Sequence, residues 1–421
     1  MNNYIKTKKI KFVKPETLII SVDIGKNTIT GYLQSTEGEE VKPFNFSNDL
    51  NGLSEFWNKV MRFEKKYGTG EIIAGFESTG PYGEPFKNFM RDKKVKLVQV
   101  NPFHTKRLKE VIDNSPGKTD KKDPKVIASL IRLGHTISLI IPKGIVAELR
   151  ELIWARERRI KERTAYINII EALMFKIFPE FCRIFKNFLS KTAIYLIERY
   201  TTPDKFKDIG LNELSQMLKK VSRGKFGEYQ AKRLLYAANN SLGTREGLES
   251  ILMEIRYIVH QIKTANEFIS ELEKEIKYKV AKLPYSRRLL SIKGIGPLTG
   301  AGIIGEVGDF ESFNTQPEIM KLAGLDLYEI SSGKHKGKKR ISKRGRPLLR
   351  KILYFAALNT IREGGIFHSY YKRLIGKGKE KMKAIIAVAR KLFKVIFAIV
   401  RDETNYIENY KLNYIHLKKV A

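Results

Sequence analysis

The hydrophobic pattern of this 421-residue chain changes its period near residue 140. Before that point, short apolar runs typical of strands alternate with segments whose apolar residues recur every three to four positions. After it, the apolar residues keep the helical spacing through most of the remaining chain. The sequence therefore predicts an α/β + α fold, in which an N-terminal α/β domain precedes long helices and a mostly helical C-terminal part.

Four apolar runs in the first 140 residues are predicted strands. "TLIISVDIG" contains Asp23 near its end, and a turn at "GKN" leads to "TITGYLQS", which is expected to pair with it as a hairpin. "EIIAGFES" contains Glu77, and "VKLVQVNP" is interpreted as a strand followed by a lysine-rich loop up to Asp120. "LSEFWNKVMRFEKK" has helical spacing, and a further helix is predicted to start at Pro124 with Asp123 as its N-cap.

Two long amphipathic helices are predicted after residue 140. The first begins near Gly144 and is crowded with arginines, and the second runs from about Arg245 to Lys282. The second has an apolar seam that makes it a coiled-coil candidate. The seam consists of Leu248, Leu252, Ile255, Ile258 or Val259, Ile262, Ala265, Phe268 or Ile269, Leu272 and Ile276. The segment between the two helices is interpreted as a helical insertion.

The charge of the chain indicates a polyanionic partner. Lysine and arginine number 79 against 45 acidic residues, which gives a formal net charge of +34 and an isoelectric point near 9.9. An excess of this size favours nucleic acid, although a generally basic proteome would also produce it. The single cysteine, Cys182, excludes internal disulfides and cysteine-based zinc fingers. We find no signal peptide or membrane-length apolar segment, so the sequence predicts a cytoplasmic protein with no membrane partner.

Four acidic residues form the first candidate site. Asp23 and Glu77 end apolar strands, while Asp120 and Asp123 lie at the start of the helix that would close the α/β domain. A ribonuclease-H-like fold brings these places together, and hard divalent ions prefer oxygen ligands of this kind. Taken singly, Asp23 is explained by a turn and Asp123 by a helix cap. Their combination in this order in a basic protein favours a metal site.

Two further motifs indicate contacts with phosphate. In "IKGIGPLTGAGII", Gly294 and Gly296 precede a helix that starts at Pro297, which is typical of a helix-hairpin-helix; a tight turn with no ligand is the alternative. A very basic loop follows Ser331 and Ser332, and the Ser-Gly pair by itself indicates only a turn. The loop residues expected to bind nucleic acid are Lys334, Lys336, Lys338, Lys339, Arg340, Lys343, Arg344 and Arg346.

Together these motifs resemble the DEDD transposases of the insertion sequence one-ten family over nearly the whole chain. "SVDIGKNTITGYL", "GFESTGPYGEPF" and "GKTDKKDPKVIASLI" look like the motifs of its RuvC-like domain, and they place Asp23, Glu77, Asp120 and Asp123 on the four family acids. "LLSIKGIGPLTGAGIIGEVGDF" and the segment from "AGL" to "RGRPLLRKILYFAA" look like its C-terminal transposase domain. The family's catalytic serine matches Ser332, with Ser331 as the neighbouring candidate. One departure is Pro124, which stands where the family usually has alanine.

The resemblance implies a mechanism and partners. The four acids are expected to bind Mg²⁺ (or Mn²⁺), while Ser332 attacks the phosphodiester and forms a transient covalent link to DNA. The expected partners are double-stranded donor and target DNA and a structured guide RNA. The active site is expected to combine two subunits of a homo-oligomer, a dimer or a tetramer. The predicted domains are RuvC-like (residues 1–140), coiled-coil and oligomerising (141–284) and C-terminal transposase (285–421).

Two alternative functions fit the same residues. A RuvC-like nuclease or junction resolvase would cut DNA with a metal-activated water and form no bond between protein and DNA. A nucleic-acid-binding protein without catalysis would use the four acids only to balance its lysines, and its activities would show no dependence on Mg²⁺.

Overall fold

A computed structural model describes residues 13–68, 70–77, 80–93, 95–113, 123–329, 331, 337 and 339–408. The chain divides into two compact units, Met1–Ile140 and Ile141–Ala421. The first contains the mixed α/β sheet that the sequence predicts, and the second is mostly helical.

The first unit is built on a six-stranded sheet with β1 near its centre. The strand order is β3-β2-β1-β4-β5-β6. β1 pairs antiparallel with β2 and parallel with β4, so the predicted hairpin of the first two strands is confirmed. β4 also runs parallel to β5, and the edge strands β3 and β6 are antiparallel to their neighbours. The strands are β1 (Thr17–Ile24), β2 (Thr28–Ser35), β3 (Glu40–Ser47), β4 (Glu71–Glu77), β5 (Lys96–Val100) and β6 (Thr136–Ser138).

Helices cover both faces of this sheet. They are α1 (Leu50–Tyr67), α2 (Glu84–Arg91), α3 (Pro102–Asp113) and α4 (Asp123–Arg132). On one face, Phe56 of α1 packs with Val22 of β1, as the helical spacing around Phe56 predicts. On the other face, Ile127 and Ile131 of α4 pack with Ile19. Successive residues of β1 thus enter two different apolar cores, which explains why this strand is apolar throughout.

The segment after β5 is a helix, α3, and the predicted lysine-rich loop is wrong over residues 102–113. Asn101 starts the helix, because its side chain accepts a hydrogen bond from the backbone nitrogen of Phe103 (3.0 Å). Thr105 is buried, and Leu108 packs against the core beneath α4. Two inward-facing residues among so many cations give too weak a periodic signal for a helix to be recognised.

Two long antiparallel helices form the frame of the second unit. They are α5 (Gly144–Ile177) and α11 (Leu248–Ala281). Polar pairs fix their direction: Arg156 donates to Glu273 (2.6 Å), and Arg163 donates to Asn266 (2.8 Å). Moving seven residues forward along α5 therefore means moving seven residues backward along α11, which defines an antiparallel register.

The apolar seam predicted for α11 is buried within the chain itself. Ile255, Ile262, Ile269 and Ile276 are all buried. The apolar cores that contain Ile255, Ile262 and Ile276 also include residues of α5. Both Ile258 and Val259 are buried, whereas Phe268 is 44% exposed, so Ile269 is the seam residue at that turn. The partner of the seam in this structure is α5 of the same chain.

Each end of the α5–α11 pair has its own apolar core. One core includes α6 (Pro179–Ile184), α7 (Lys191–Arg199), α8 (Pro203–Ile209), α9 (Leu211–Val221) and α10 (Glu228–Asn239). The other includes α12 (Ser286–Leu290), α13 (Pro297–Val307), α14 (Gln316–Leu322), α15 (Pro347–Thr360), α16 (His368–Gly376) and α17 (Lys381–Arg401). A short hairpin of β7 (Leu327–Tyr328) and β8 (Arg340–Ile341) projects between α14 and α15 in the chain. Within the described residues, no helix combines the length and the hydropathy needed to cross a bilayer.

Candidate active site

Asp23 and Glu77 lie at the ends of two adjacent parallel strands. In the register of β1 and β4, Ser21 pairs with Gly75. Asp23 and Glu77 each follow two residues later, so they reach the same edge of the sheet. Because side chains alternate along a strand, Asp23 points to the same face as Ser21, and Glu77 to the same face as Gly75.

That face is the one covered by α4. The hydroxyl of Ser21 donates a hydrogen bond to the carbonyl oxygen of Pro124 (2.7 Å). A Cβ added to Gly75 would overlap the side chain of Ile131, so a glycine is needed for α4 to pack this closely. The two strands thus hold the start of α4, where Asp123 is the first helical residue, next to the acids at their ends. Pro124 takes part in this packing through its carbonyl oxygen.

The electrostatics of Glu77 reflect this convergence. Burial is the largest cause that raises the pKa of Glu77 above its ordinary value. The negative charges of Asp23 and Asp123 raise it further, because like charges disfavour ionisation. A hydrogen bond from Thr105 and the positive charge of Lys109 lower it in part. Asp23 and Asp123 are therefore close enough to Glu77 for their charges to act on it.

Asp123 contacts a cation from the neighbouring helix. The residue is 8% exposed, and its Oδ1 forms an ion pair with the ammonium group of Lys109. Among the described residues, this buried Oδ1 accepts no hydrogen bond and has Lys109 as its charged partner. A buried carboxylate oxygen whose negative charge is balanced only by a neighbouring cation can bind a metal ion in place of that cation.

Two residues of α3 support the acids, and neither was predicted from the sequence. Thr105 and Lys109 are one helical turn apart and face the same side. The first hydrogen-bonds Glu77, and the second pairs with Asp123. A threonine and a lysine at spacing four carry no recognisable signal once the segment is interpreted as a loop.

The described acids have the ligand chemistry that a divalent cation requires, but they do not form a metal site by themselves. Three carboxylates lie around one edge of a sheet, and hard cations such as Mg²⁺ prefer oxygen ligands. The fourth predicted acid, Asp120, lies in residues 114–122, outside the described residues. Among the residues that the structure does describe, no three histidine, cysteine, aspartate or glutamate side chains are close enough together to hold a metal ion. Lys109 supplies the positive charge next to Asp123.

Replacing Lys109 with methionine is expected to lower the stability of the metal-free protein and to raise its affinity for Mn²⁺. Loss of the ion pair leaves Asp123 buried without a counter-charge, which should lower the free energy of unfolding by about 1–3 kcal/mol in the absence of metal. The same change removes the cation that competes for Asp123, so Mn²⁺ should bind more tightly. Thermal unfolding and titration calorimetry with Mn²⁺ measure both effects.

Lys106→Met is the matched control, because Lys106 is an exposed lysine of the same helix. It should change neither property. An equal response of Lys109→Met and Lys106→Met to Mn²⁺ would show that Lys109 does not compete with the metal.

The predicted serine site lies on the loop of the β7–β8 hairpin. Leu327 pairs with Ile341, and Tyr328 pairs with Arg340. The two ends of the segment that joins these strands therefore lie side by side. Ser331 is exposed. Ser332 lies outside the described residues, as do Lys334, Lys336 and Lys338.

The "AGL" motif forms the base of this hairpin. Gly324 has a φ of +63°, which favours glycine, and a Cβ added to Gly345 would overlap its backbone nitrogen. The two glycines therefore allow the chain to pass backbone against backbone where the loop closes. Arg350 strengthens the contact by donating to the carbonyl oxygen of Ala323 (2.9 Å). This packing explains why glycine occupies both positions.

The described basic residues of the loop differ in their surroundings. Four of them are exposed: Lys339, Arg340, Lys343 and Arg344. Arg346, by contrast, donates a hydrogen bond to the carbonyl oxygen of Glu306, and burial lowers its pKa to about 10. The carboxylate of Glu306 in turn accepts a hydrogen bond from Trp154 (2.9 Å). Arg346 therefore anchors the end of the loop inside the second unit.

The glycine motif lies in a turn between α12 and α13. Gly294 has a φ of +105°, so a side chain there would be strained. Gly296 has open space around its Cα, and Pro297 occupies the first turn of α13. An open glycine before a helix start leaves room for a phosphate oxygen to approach the backbone.

Comparison with known proteins identifies relatives of both parts of the chain. Residues 20–179 match the family model of the IS110 DEDD transposase domain, described as "Transposase". Residues 286–372 match the model described as "Transposase IS116/IS110/IS902 family".

Three relatives illustrate the similarity. A 43.6 kDa protein of insertion element IS110 from Streptomyces coelicolor is 26% identical over 92% of this chain and 95% of its own length. The transposase for insertion sequence element IS1111A of Coxiella burnetii is 23% identical over 69% of this chain and 68% of its own. The pilin gene-inverting protein of Moraxella lacunata is 30% identical over 38% of this chain and 51% of its own. Because both matched segments fit transposase models of the IS110 group, the chain belongs to the IS110 family of DEDD transposases.

Proposed function

We propose that this insertion-sequence transposase cuts and rejoins DNA strands with a carboxylate-bound divalent cation and a serine nucleophile. The observation that carries the proposal is the position of Asp23, Glu77 and Asp123 at one edge of the sheet on the face covered by α4. A protein that used these acids only to balance surface lysines would have no reason to bury Asp123 or to raise the pKa of Glu77.

Asp23, Glu77 and Asp123 would hold the cation, and we assign Asp120 to the same site by its place in the family motif. When bound, Mg²⁺ or Mn²⁺ would neutralise negative charge on the phosphodiester and on the attacking and departing oxygens. The chain's own residues position the ligands: Thr105 orients the carboxylate of Glu77, and Lys109 holds Asp123 until the cation binds.

Ser332 is proposed as the nucleophile, with Ser331 as its neighbour in the loop. Its Oγ would form a bond to phosphorus as the bond between phosphorus and one ester oxygen breaks. The proton of the serine hydroxyl would be transferred to the departing oxygen, which is released as a DNA hydroxyl. Attack by a second DNA hydroxyl on the phosphoserine would reverse this exchange and regenerate the serine. Each step keeps the number of phosphoester bonds constant, so rejoining needs no external energy source.

Two elements of the second unit are proposed to contact the DNA backbone. The exposed cations in and just after the β7–β8 hairpin would provide charge for the serine segment, and the turn at Gly294 and Gly296 would provide backbone nitrogens at the start of α13. Contacts of this kind position DNA without reading its sequence. We assign sequence choice to a structured guide RNA, since a net charge of +34 exceeds what a short DNA contact needs.

A homo-oligomer is also proposed, so that the acids of one subunit meet the serine of another. The apolar seam of α11 is already covered by α5 of the same chain. Association would therefore use the outer surface of the α5–α11 pair rather than the seam.

Metal dependence tests the proposal most directly. With the purified protein, its copurified RNA and DNA that contains the element junction, chelation of divalent ions should reduce strand cleavage at least about 100-fold, and added Mg²⁺ or Mn²⁺ should restore it. Binding of the same DNA, measured by fluorescence anisotropy, should persist in chelator. Cleavage at an equal rate in chelator would contradict the metal site.

A further inference from the structure

The helical insertion between the two long helices contains a basic cleft. It has a volume of about 570 Å³ and lies between the α6–α7 connection, the α9–α10 loop and α10 itself. Its lining includes four cationic side chains and no carboxylate. These four are Arg183, Lys186, Lys225 and Arg233. A cleft of this size is in the range of ligand-binding cavities, and its charge favours an anionic ligand.

The four cations of the cleft have no ion-pair partner in the part of the chain that the structure describes. Lys232 shows the contrast, since it lies on the same helix and pairs with Glu228 (2.7 Å). A concentration of like charge raises the electrostatic energy of the folded protein, and a bound anion removes that cost.

Exposed tyrosines extend the cleft along α10. Tyr229 is 72% exposed and Tyr236 is 73% exposed. They lie four residues before and three residues after Arg233, which places all three side chains on one side of the helix. The guanidinium of Arg233 lies 5.8 Å from the ring centroid of Tyr229. Aromatic rings interleaved with cations on an exposed surface are typical of sites where nucleobases stack.

The α9–α10 loop is held in place without a ligand. The backbone nitrogen of Phe226 donates to the hydroxyl of Ser222 (2.7 Å), and Gly224 turns the chain with a φ of +82°. The ring of Phe226 packs edge-on against Phe185, with centroids 5.6 Å apart. The backbone at Lys225 is thus held at the cleft before binding, which reduces the entropy that a ligand must overcome.

We propose that the cleft and the tyrosine side of α10 together bind an unpaired strand of nucleic acid. The cations contact successive phosphodiesters, and the two tyrosine rings stack on bases. An unpaired strand is required because the bases of a duplex are already stacked on one another and cannot reach the rings. This site goes beyond the function proposed above and does not depend on the metal site or the serine.

Tyrosine substitutions test the stacking. Fluorescence anisotropy with the full-length protein would compare an unpaired RNA strand, an unpaired DNA strand of the same sequence and the corresponding DNA duplex. Tyr229→Ala and Tyr236→Ala should each weaken binding of an unpaired strand about tenfold, while Tyr→Phe at either position should preserve it. The strand that shows the loss identifies the sugar of the natural ligand. Tyr257→Ala, which removes an exposed tyrosine from α11, is the matched control.

Salt dependence tests the cations. The triple variant Lys186→Gln, Lys225→Gln and Arg233→Gln should reduce the slope of log affinity against log salt by about two for an unpaired strand. Lys232→Gln should leave that slope unchanged, because its charge is already paired. Unchanged affinity for unpaired strands in both sets of variants, or a loss confined to the duplex, would overturn the proposal.

Failure of this proposal is distinguishable from failure of the catalytic one. Asp23→Asn should bind unpaired strands as the wild type does, whatever happens to its cleavage activity. If Asp23→Asn and the cleft variants lost strand binding together, the cleft would not be an independent site.

Discussion

Replacement of Asp23 with asparagine should reduce DNA strand cleavage at least about 1,000-fold and leave DNA binding within about twofold of wild type. The substitution preserves the size of the side chain at the end of β1 but removes the charge that a divalent cation requires. Glu77→Gln should have the same effect, because Glu77 ends the neighbouring strand on the same face. Cleavage of labelled element-junction DNA at saturating protein and Mg²⁺ provides the measurement, and anisotropy with the same DNA monitors binding.

Asp92→Asn is the matched control for this prediction. Asp92 is an exposed aspartate in the same unit, at the end of α2, so its charge contributes nothing to the edge where β1 and β4 end. Cleavage by this variant should equal that of wild type. If Asp23→Asn also cleaved at the wild-type rate, the carboxylates would have no part in the reaction.

The placement of these acids could be predicted from sequence because strand ends are visible as the ends of apolar runs. Asp23 and Glu77 each close such a run, and parallel neighbours bring such ends to one edge. The face on which they lie follows from the alternation of side chains along each strand. The central strands of the first unit and the helices α1 and α4 were predictable for the same reason, whereas α3 and the edge strands β3 and β6 were not predicted.

The supporting residues could not be predicted, because their role arises only in the tertiary structure. Lys109 is one of several lysines in its segment, and only the packing of α3 beside α4 distinguishes it from Lys106. Thr105 is likewise defined by its contact with Glu77. Polar contacts between separate helices depend on how the helices cross. The spacing of apolar residues along one helix carries no information about that crossing.

The seam of α11 shows a different limit. Its residues were identified by spacing alone, and the structure buries those from Ile255 to Ile276 except Phe268, while Leu248 and Leu252 are partly buried. Spacing does not state which helix covers them, because an antiparallel helix of the same chain and a helix of a second chain need the same apolar stripe. Arg156 and Glu273 establish the intramolecular register, and a pair separated by 117 positions leaves no local signal.

Replacement of Ser332 with alanine should abolish both strand exchange and the covalent protein–DNA species. In wild type, stopping the reaction with denaturant should trap end-labelled DNA as a protease-sensitive adduct that migrates slowly in a denaturing gel. Ser332→Ala lacks the oxygen that forms this bond, so the adduct should disappear and cleavage should fall at least about 1,000-fold. DNA and Mn²⁺ binding should be unchanged, since the proposed metal ligands lie in the other unit.

The outcome for Ser332→Ala also decides between the two catalytic alternatives. A junction resolvase that uses a metal-activated water would cleave at the wild-type rate in this variant and would give no adduct in either protein. Ser331→Ala provides the positional control, because both serines precede Gly333 in the same loop and only one of them can be the nucleophile. Loss of the adduct in Ser331→Ala, with its retention in Ser332→Ala, would identify Ser331 as the nucleophile. Retention in both single variants would place it elsewhere in the chain, and the hairpin would then serve only to bind DNA.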